Sequence, residues 1–143
     1  MRILAKYRSW GDRKWAFLRA VIEIKDLKVG GFVDFLIDTG AGESILSERD
    51  ARRIGLVYQN FPKGRPATGV GGVANTYKID KKVIFSFDTV GGMRYSAARR
   101  SIEVLEEPSK QKQLPSLLGL EFLEELGFKL TFDMPTEGIF IEI

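Results

Sequence analysis

The chain contains no cysteine and no histidine among its 143 residues. Without cysteine there is neither a disulfide nor a thiol nucleophile, and without histidine there is no Ser-His-Asp triad and no imidazole proton shuttle. The usual zinc sites are excluded as well, because they are built mainly from these two residue types. Any hydrolytic chemistry must therefore use carboxylates, lysine, tyrosine or serine. We expect no metal and no other cofactor.

Long apolar runs are also missing. No stretch approaches the roughly 18 apolar residues of a membrane span, and residues 1–8 lack the apolar core and small-residue cleavage site of a signal peptide. The absence of cysteine gives no sign of secretion, so we expect a cytoplasmic protein with no membrane partner. The length predicts a single domain over residues 1–143.

The charge is slightly basic, with 22 basic against 19 acidic residues, a formal charge of +3 and a pI near 9.2. Basic pairs such as Arg52-Arg53 and Lys81-Lys82 are scattered along the chain. Proteins that bind nucleic acid usually concentrate such charge on one face. We therefore expect a solvated surface. A further alternative is a basic nucleic-acid-binding β domain, whose binding would fall steeply with salt.

Apolar periodicity predicts a mainly β chain with two short helices. Strands are predicted over 2–7, 15–25, 32–38, 73–79, 83–87, 94–105, 128–132 and 139–143, with turns at 28–31 and 89–92 and a loop at 106–114. A helix is predicted over 47–55, with Ser47 as N-cap and Gly55 at its end. The apolar spacing from Leu117 to Leu126 predicts a second helix that ends at Gly127.

The most informative motif is Asp38-Thr39-Gly40, which follows the apolar residues 35–37 and occurs once. An apolar strand here delivers an aspartate into a tight turn. Hydrolysis by carboxylates alone requires two of them face to face, sharing one proton and one water. Because the chain has only one such motif, a catalytic role would require Asp38 from a second copy. The motif thus predicts a carboxylate dyad together with a symmetric homodimer.

The motif resembles that of the retropepsin family, which includes retroviral aspartic proteases, retrotransposon relatives and the protease-like domain of DNA-damage-inducible ubiquitin shuttle proteins. The resemblance covers about residues 15–143 and rests on residues 35–41, 44–47, 53–56, 69–72 and 117–123. It implies a mainly β fold, a retropepsin-like closed barrel or sandwich with one or two short helices. It also implies one catalytic Asp-Thr-Gly per subunit.

The resemblance implies the catalytic residues Asp38, Thr39 and Gly40. Two Asp38 carboxylates would activate a water that attacks a peptide bond, without a covalent intermediate. The Thr39 hydroxyl would brace the backbone of the partner chain, or alternatively cap its own turn, and Gly40 would let the substrate backbone approach closely. Ala41 stands where many pepsin-like enzymes have serine, so we expect activity at less acidic pH. The implied substrate is an extended peptide with apolar side chains.

The substrate-binding residues implied by the resemblance lie beside the motif, in a glycine-rich flap and in the second family motif: Ala41, Gly42, Gly69, Val70, Gly71, Gly72 and Leu117. The glycine-rich segment is alternatively a hairpin with no moving role. It is not a phosphate-binding loop, because no lysine follows at the required spacing. Leu117 is expected to be a core residue first and a subsite residue second.

Two positions depart from the retroviral pattern. Retroviral enzymes carry an aspartate and an arginine that pair near the dimer interface, where this chain has Gly42 and Leu120. The interface must therefore be held differently. The apolar C-terminal strand at 139–143 either joins an intermolecular sheet or is buried in its own subunit. The leading hypothesis is a homodimeric aspartic endopeptidase, and the alternative is a peptide-binding or dimerisation module of little or no activity.

Overall fold

The structure is a computed structural model that describes residues 1–69, 72–107, 114–133, 135–136 and 138–143. The chain is mainly β, as predicted, and its helices are α1 (Glu48–Arg53) and α2 (Leu120–Glu125). The strands are β1 (Arg2–Trp10), β2 (Arg13–Ile24), β3 (Val29–Ile37), β4 (Ile45–Ser47), β5 (Ala67–Gly69), β6 (Gly72–Ala74), β7 (Thr76–Ile79), β8 (Val83–Asp88), β9 (Arg94–Arg99), β10 (Ile102–Leu105), β11 (Ser116–Leu118), β12 (Lys129–Asp133) and β13 (Gly138–Glu142).

Eleven of these strands form one sheet in the order β12-β13-β1-β2-β3-β11-β4-β10-β7, with β8 paired to β2 and β9 paired to β8. Strands β5 and β6 form a separate hairpin. The parallel pairing of β11 with β3 sets Leu117 beside Leu36 and Leu118 beside Ile37. The sheet therefore brings the second family motif directly against the strand that leads to Asp38.

The hydrophobic core follows from the alternation along β2. The predicted inward-facing residues Ala16, Leu18, Ala20, Ile22 and Ile24 are all buried. Aromatic rings from three separate elements fill the space beneath them: Phe35, Phe85 and Phe122 have centroid separations of 5.7 Å for the first pair and 4.8 Å for the second. This core supports β3 from below, so the end of β3 is rigidly placed.

The turn predicted at 28–31 is wrong. A single 3-10 turn at Lys25–Leu27 reverses the chain, Lys28 takes the left-handed conformation with φ 54°, and β3 begins at Val29. Gly30 and Gly31 both lie within β3. Glycine occurs at these positions because a larger side chain would clash with neighbouring atoms. A Cβ at Gly30 would lie 2.8 Å from the Ile22 carbonyl oxygen, and one at Gly31 would lie 3.1 Å from Ile54 Cγ2. The glycines thus serve close packing rather than a turn.

The second predicted helix begins three residues later than its apolar spacing indicates. Leu117 and Leu118 lie in β11, Gly119 is the N-cap residue, and α2 starts at Leu120. Pairing with β3 determines the conformation of these leucines, because a short apolar run fits a buried strand as well as a helix. This arrangement delivers a glycine, rather than a helical turn, to the side of the catalytic motif.

Two predicted strands are interrupted. The segment 73–79 divides at Asn75 into β6 and β7, and 94–105 divides after Arg99 into β9 and β10. Each break marks a change of pairing partner, from β5 to β10 in the first case and from β8 to β7 and β4 in the second. Most of the predicted loop at 106–114 lies outside the described residues.

The C-terminal strand pairs within its own subunit. β13 lies between β1 and β12, with Phe140 opposite Leu4 on one side and Thr131 on the other. Both edges of β13 are thus paired in the described chain, whereas an intermolecular sheet at the termini stays a prediction. The amide of Ile143 also donates to the carbonyl of Met1 at 3.0 Å, which joins the two ends of the chain at the same edge.

Candidate active site

Asp38 stands at the mouth of a tight turn directly after β3. The amide of Gly40 donates to Asp38 Oδ1 at 3.0 Å, and the amide of Ala41 donates to the Asp38 carbonyl oxygen at 3.1 Å. Asp38 is half-buried, whereas Thr39 and Gly40 are exposed. No hydrogen bond joins the Thr39 hydroxyl to another described residue. The local backbone therefore orients one carboxylate oxygen and leaves the tip of the turn open.

The second family motif holds this turn through the main chain. The Asp38 amide donates to the Leu118 carbonyl oxygen at 3.0 Å. On the far side of the turn, the Leu120 amide donates to the Ala41 carbonyl oxygen at 2.8 Å and the Glu121 amide to that of Gly42 at 3.2 Å. The start of α2 and the end of β11 thus form hydrogen bonds with both sides of the loop that carries Asp38.

Glycine is required at position 119 because there is no room for a side chain between these segments. A Cβ there would lie 2.5 Å from the Glu43 carbonyl carbon, 2.6 Å from its oxygen and 2.7 Å from Glu121 Oε2. The Gly119 amide donates to Ser44 Oγ at 2.8 Å, and the Ser44 amide donates to Glu121 Oε1 at 2.9 Å. Side-chain hydrogen bonds at both motifs therefore hold the loop, in addition to the main-chain hydrogen bonds.

Ser44 and Glu121 hold the Asp38 loop in place, and the sequence alone had assigned neither of them to the site. Both belonged to segments that carried the resemblance, but no role was given to either. Their sequence signal was position alone: Ser44 is six residues after Asp38, and Glu121 is two residues after Gly119. Among the described side chains, Glu121 Oε2 is buried without a hydrogen-bond partner, and Arg99 approaches only the other oxygen, at 3.9 Å.

The corner that lacks the retroviral ion pair is held by backbone bonds. Gly42 accepts through its carbonyl oxygen, and the neutral Leu120 contributes its amide to Ala41. No orphan charge is created by losing both members of such a pair together. How the dimer interface is held without that pair stays a prediction.

A buried polar cluster anchors α1 to β11. The Ser116 hydroxyl donates to Asp50 Oδ2 at 2.6 Å, the Ser47 amide donates to Ser116 Oγ at 2.9 Å, and the Asp50 amide donates to Ser47 Oγ at 3.1 Å. Ser47 is therefore the helix N-cap, as predicted, and Gly55 ends the segment at φ 86°. Because β11 also supplies the Leu118 carbonyl to Asp38, this cluster supports the catalytic turn indirectly.

The other candidate substrate-binding residues are placed less completely. Gly69 pairs with Gly72 in the β5–β6 hairpin, and Val70 and Gly71 lie outside the described residues. The glycine-rich hairpin is therefore present, while its role as a flap stays a prediction. Leu117 is half-buried between Leu36 of β3 and Ile45 of β4, so its role as a subsite also stays a prediction.

One carboxyl group near the catalytic loop is perturbed. Burial, followed by the charge of Glu43, raises the pKa of Glu103 above its ordinary value. Glu103 lies on β10 opposite Ile45, just after the catalytic loop. Within the part of the chain that the structure describes, no three acidic side chains lie close enough together to hold a metal ion.

The Asp-Thr-Gly turn follows one strand and is held by a second strand and by the glycine that precedes a late helix. This arrangement is typical of the retropepsin-like class of aspartic proteases. Residues 26–125 match the family model described as "gag-polyprotein putative aspartyl protease". The match covers more than half of the chain, so the chain belongs to this family. A search of the curated proteins finds no significant match.

Three solved structures resemble the chain. A retropepsin-like aspartic protease from Rickettsia conorii has a TM-score of 0.54 at 18% identity, covering 99% of this chain and 90% of that one. The retroviral protease-like domain of Ddi1 from Leishmania major gives 0.45 at 20% identity, with 86% and 91% covered. The EIAV protease bound to the inhibitor HBY-793 gives 0.46 at 21%, with 87% and 99% covered. The first of these shows the fold.

Proposed function

We propose that the protein is a homodimeric aspartic endopeptidase whose active site contains Asp38 from each of two copies. The observation that carries the proposal is a single Asp38 in a turn that is rigidly held from behind and open at its tip. One carboxylate cannot act both as the base that activates water and as the acid that protonates the peptide oxygen. Two copies across a symmetry axis supply both roles.

The chemistry follows from two adjacent carboxyl groups that share one proton. The ionised Asp38 takes a proton from a bound water, and the protonated Asp38 of the partner subunit donates to the peptide carbonyl oxygen. Water attack gives a tetrahedral diol, and proton transfer to the nitrogen completes the hydrolysis. The Gly40 amide, which donates to Asp38 Oδ1, orients the carboxylate toward the open side of the turn.

The substrate that fits this proposal is an extended peptide with apolar side chains near the cleaved bond. Main-chain pairing would hold it between the catalytic turn and the β5–β6 hairpin. The exposed tip of the turn, at Thr39 and Gly40, is available for the partner subunit. Because position 41 is alanine, no hydroxyl at that position adds a hydrogen bond to the dyad. We therefore propose that the enzyme works at less acidic pH than enzymes with serine at this position. A pH–rate profile that peaks below about 3.5 would contradict this.

The decisive experiment mixes active and inactive subunits. Asp38→Asn keeps the shape of the turn but cannot supply the acid and base, so its homodimer should lose at least about 10³-fold in kcat/KM on a peptide library. Mixed with wild type at equal concentration and allowed to exchange, it should roughly halve the activity per wild-type chain, because mixed dimers contain only one competent carboxylate. Arg100→Gln, at an exposed position outside the Asp38 turn and the candidate substrate-binding residues, is the control and should keep wild-type activity.

Activity per wild-type chain that stays unchanged on mixing would contradict a shared dyad. The same peptide library tests the second candidate function, a non-catalytic peptide-binding module. The absence of the retroviral ion pair at Gly42 and Leu120 favours that alternative. Binding of apolar peptides without cleavage at any pH, by a chain shown to be dimeric by light scattering, would establish it instead.

A further inference from the structure

A second groove lies beside the catalytic strand, on the outer face of β1, β2 and β3. One cavity of about 320 Å³ and another of about 200 Å³ meet at Arg8, Phe17 and Asp34. Their walls include the N-terminal hairpin and two arginines of α1, Arg49 and Arg53. The larger cavity has the volume of a small ligand site. We refer to the two together as the arginine groove.

The arginine groove carries the charge excess of the whole molecule. It is lined by five basic side chains, Lys6, Arg8, Arg19, Arg49 and Arg53, and by two acidic ones, Asp34 and Asp50. The resulting excess of three positive charges equals the formal charge of the chain. Basic residues that are scattered along the sequence therefore converge on this face, and their side chains remain exposed to solvent.

The guanidinium groups are oriented before any ligand arrives. Arg8 lies over the ring of Phe17 at 5.8 Å, Arg49 over Trp10 at 5.3 Å and Arg19 over Phe32 at 5.2 Å. Stacked arginines lose little freedom on binding and match the planar shape of a carboxylate. The side chains of these three arginines and of Arg53 are still between 41% and 62% exposed, so they are accessible to a ligand.

The acidic residues in the arginine groove show which chemistry it accepts. Asp34 binds Arg19 through both oxygens, at 2.8 and 3.0 Å, and also pairs with Arg8. The hydrogen bonds from Arg19 are the main cause that lowers the pKa of Asp34. Asp50 pairs in the same way with Arg53 at 3.2 Å and Arg49 at 3.6 Å, so carboxylates are the groups that these arginines contact in the chain itself.

We propose that the arginine groove is an accessory site for acidic side chains of the peptide substrate. It rests on the proposed function and extends it to the substrate class. Asp34 lies on β3, four residues before Asp38 in the turn that follows, a span of about 13 Å along an extended chain. An extended peptide cleaved at Asp38 would reach it with residues about four positions from the cleaved bond.

A nucleic acid fits the arginine groove less well than an acidic peptide. The aromatic rings that could stack on bases are covered by arginines instead. The two aspartates between the arginines would also repel a continuous run of phosphates, whereas they leave separate places for individual carboxylates.

The test measures binding on the full chain carrying Asp38→Asn, so that no peptide is consumed. The probes are an apolar peptide with an Asp-Glu-Asp cluster four residues from its centre and the same peptide with Asn-Gln-Asn. Both tryptophans of the chain are in the hairpin that borders the groove, and Trp15 Nε1 donates to the Trp10 carbonyl oxygen at 3.3 Å. Their fluorescence therefore reports binding of peptides that lack aromatic residues.

We expect the acidic peptide to bind roughly tenfold more tightly than the neutral one. Arg8→Gln combined with Arg53→Gln should abolish that difference, whereas Arg100→Gln, an exposed arginine outside the groove, should preserve it. Asp34→Asn, which removes a competing carboxylate, should tighten binding of the acidic peptide. This opposite effect keeps the test valid if the double variant folds poorly.

Equal affinity for the two peptides, or an unchanged preference in the double variant, would overturn the proposal. Tighter binding of a single-stranded DNA oligonucleotide would assign the groove to nucleic acid and overturn it as well. Cleavage by wild type then separates the two proposals. Equal kcat/KM on both peptides would refute the accessory site alone, whereas selective binding without any cleavage would refute the proposed endopeptidase and retain the groove.

Discussion

At the scale of single residues, Gly119 shows how closely the two family motifs fit. The residue has an ordinary backbone conformation, with φ −86°, so its requirement comes from space and not from backbone freedom. Its neighbours at a hypothetical Cβ are the backbone atoms of Glu43, which cannot move without moving the catalytic loop. The position therefore couples stability to the geometry of Asp38.

Gly119→Ala should lower the free energy of unfolding by about 1–3 kcal/mol and reduce peptide cleavage strongly, because the loop that carries Asp38 must shift. Urea unfolding and kcat/KM are the measurements. Gly42→Ala, with nothing within 4 Å of its Cβ position, should change stability by no more than about 0.5 kcal/mol. A Gly119→Ala variant with wild-type stability and activity would show that the close contacts at position 119 do not fix the loop that carries Asp38.

Asp34 gives a pH dependence with a definite sign. The hydrogen bonds and charge of its arginine neighbours lower its pKa below the ordinary 3.8 in the folded chain. Its ion pairs therefore add stability above that ordinary value, and the contribution is lost as the pH falls through the folded-state pKa. Denaturant unfolding should show wild type more stable than Asp34→Asn near neutral pH, with the difference vanishing at about pH 2. A difference that grows on acidification would refute the assignment.

At the scale of elements, the sequence predicted best where one pattern allowed only one structure. The alternation of β2 and the capped helix at Ser47 are examples, and both are confirmed. Leu117 and Leu118 failed because a short apolar run fits strand and helix alike, and only pairing with β3 decides between them. The arginine groove could not be predicted, since its basic residues come from three separate elements, β1, β2 and α1.

The C-terminal strand β13 provides the prediction at this scale. Ile141 is fully buried between β1 and β12, whereas Ile143 remains 37% exposed. Ile141→Ala should cost about 2–5 kcal/mol of unfolding free energy, because it leaves a cavity under the paired strands. Ile143→Ala, the matched control, should cost less than about 1 kcal/mol. Equal effects in thermal unfolding would argue that β13 is not packed within its own subunit.

At the scale of the whole molecule, the chain carries one Asp38 turn, which under the proposed function is half of an active site. The described residues place the turn of Asp38 at the surface, and no described helix has the length and apolar character needed to cross a membrane. The outer strands β12, β13 and β1 pair with one another inside the subunit. Under the proposed function, a dimer would therefore form without unfolding these pairs.

Under the proposed function, dilution should reduce activity more than proportionally. Below the dissociation constant of the dimer, the rate should rise with about the square of the chain concentration, and above it linearly. Progress curves over a concentration series, compared with sedimentation over the same range, would measure this. A rate that stays proportional to concentration while the chain sediments as a monomer would rule out the shared dyad.

The hydrogen bond between Ile143 and Met1 has a topological consequence. With first and last strands side by side, the chain forms nearly a closed ring, and a short peptide could join its ends without disturbing the sheet. New ends could then be opened at the exposed turn between β8 and β9. Any sequence fused before Met1 or after Ile143 would leave from one shared corner, so a single neighbouring molecule could contact both attachments at once.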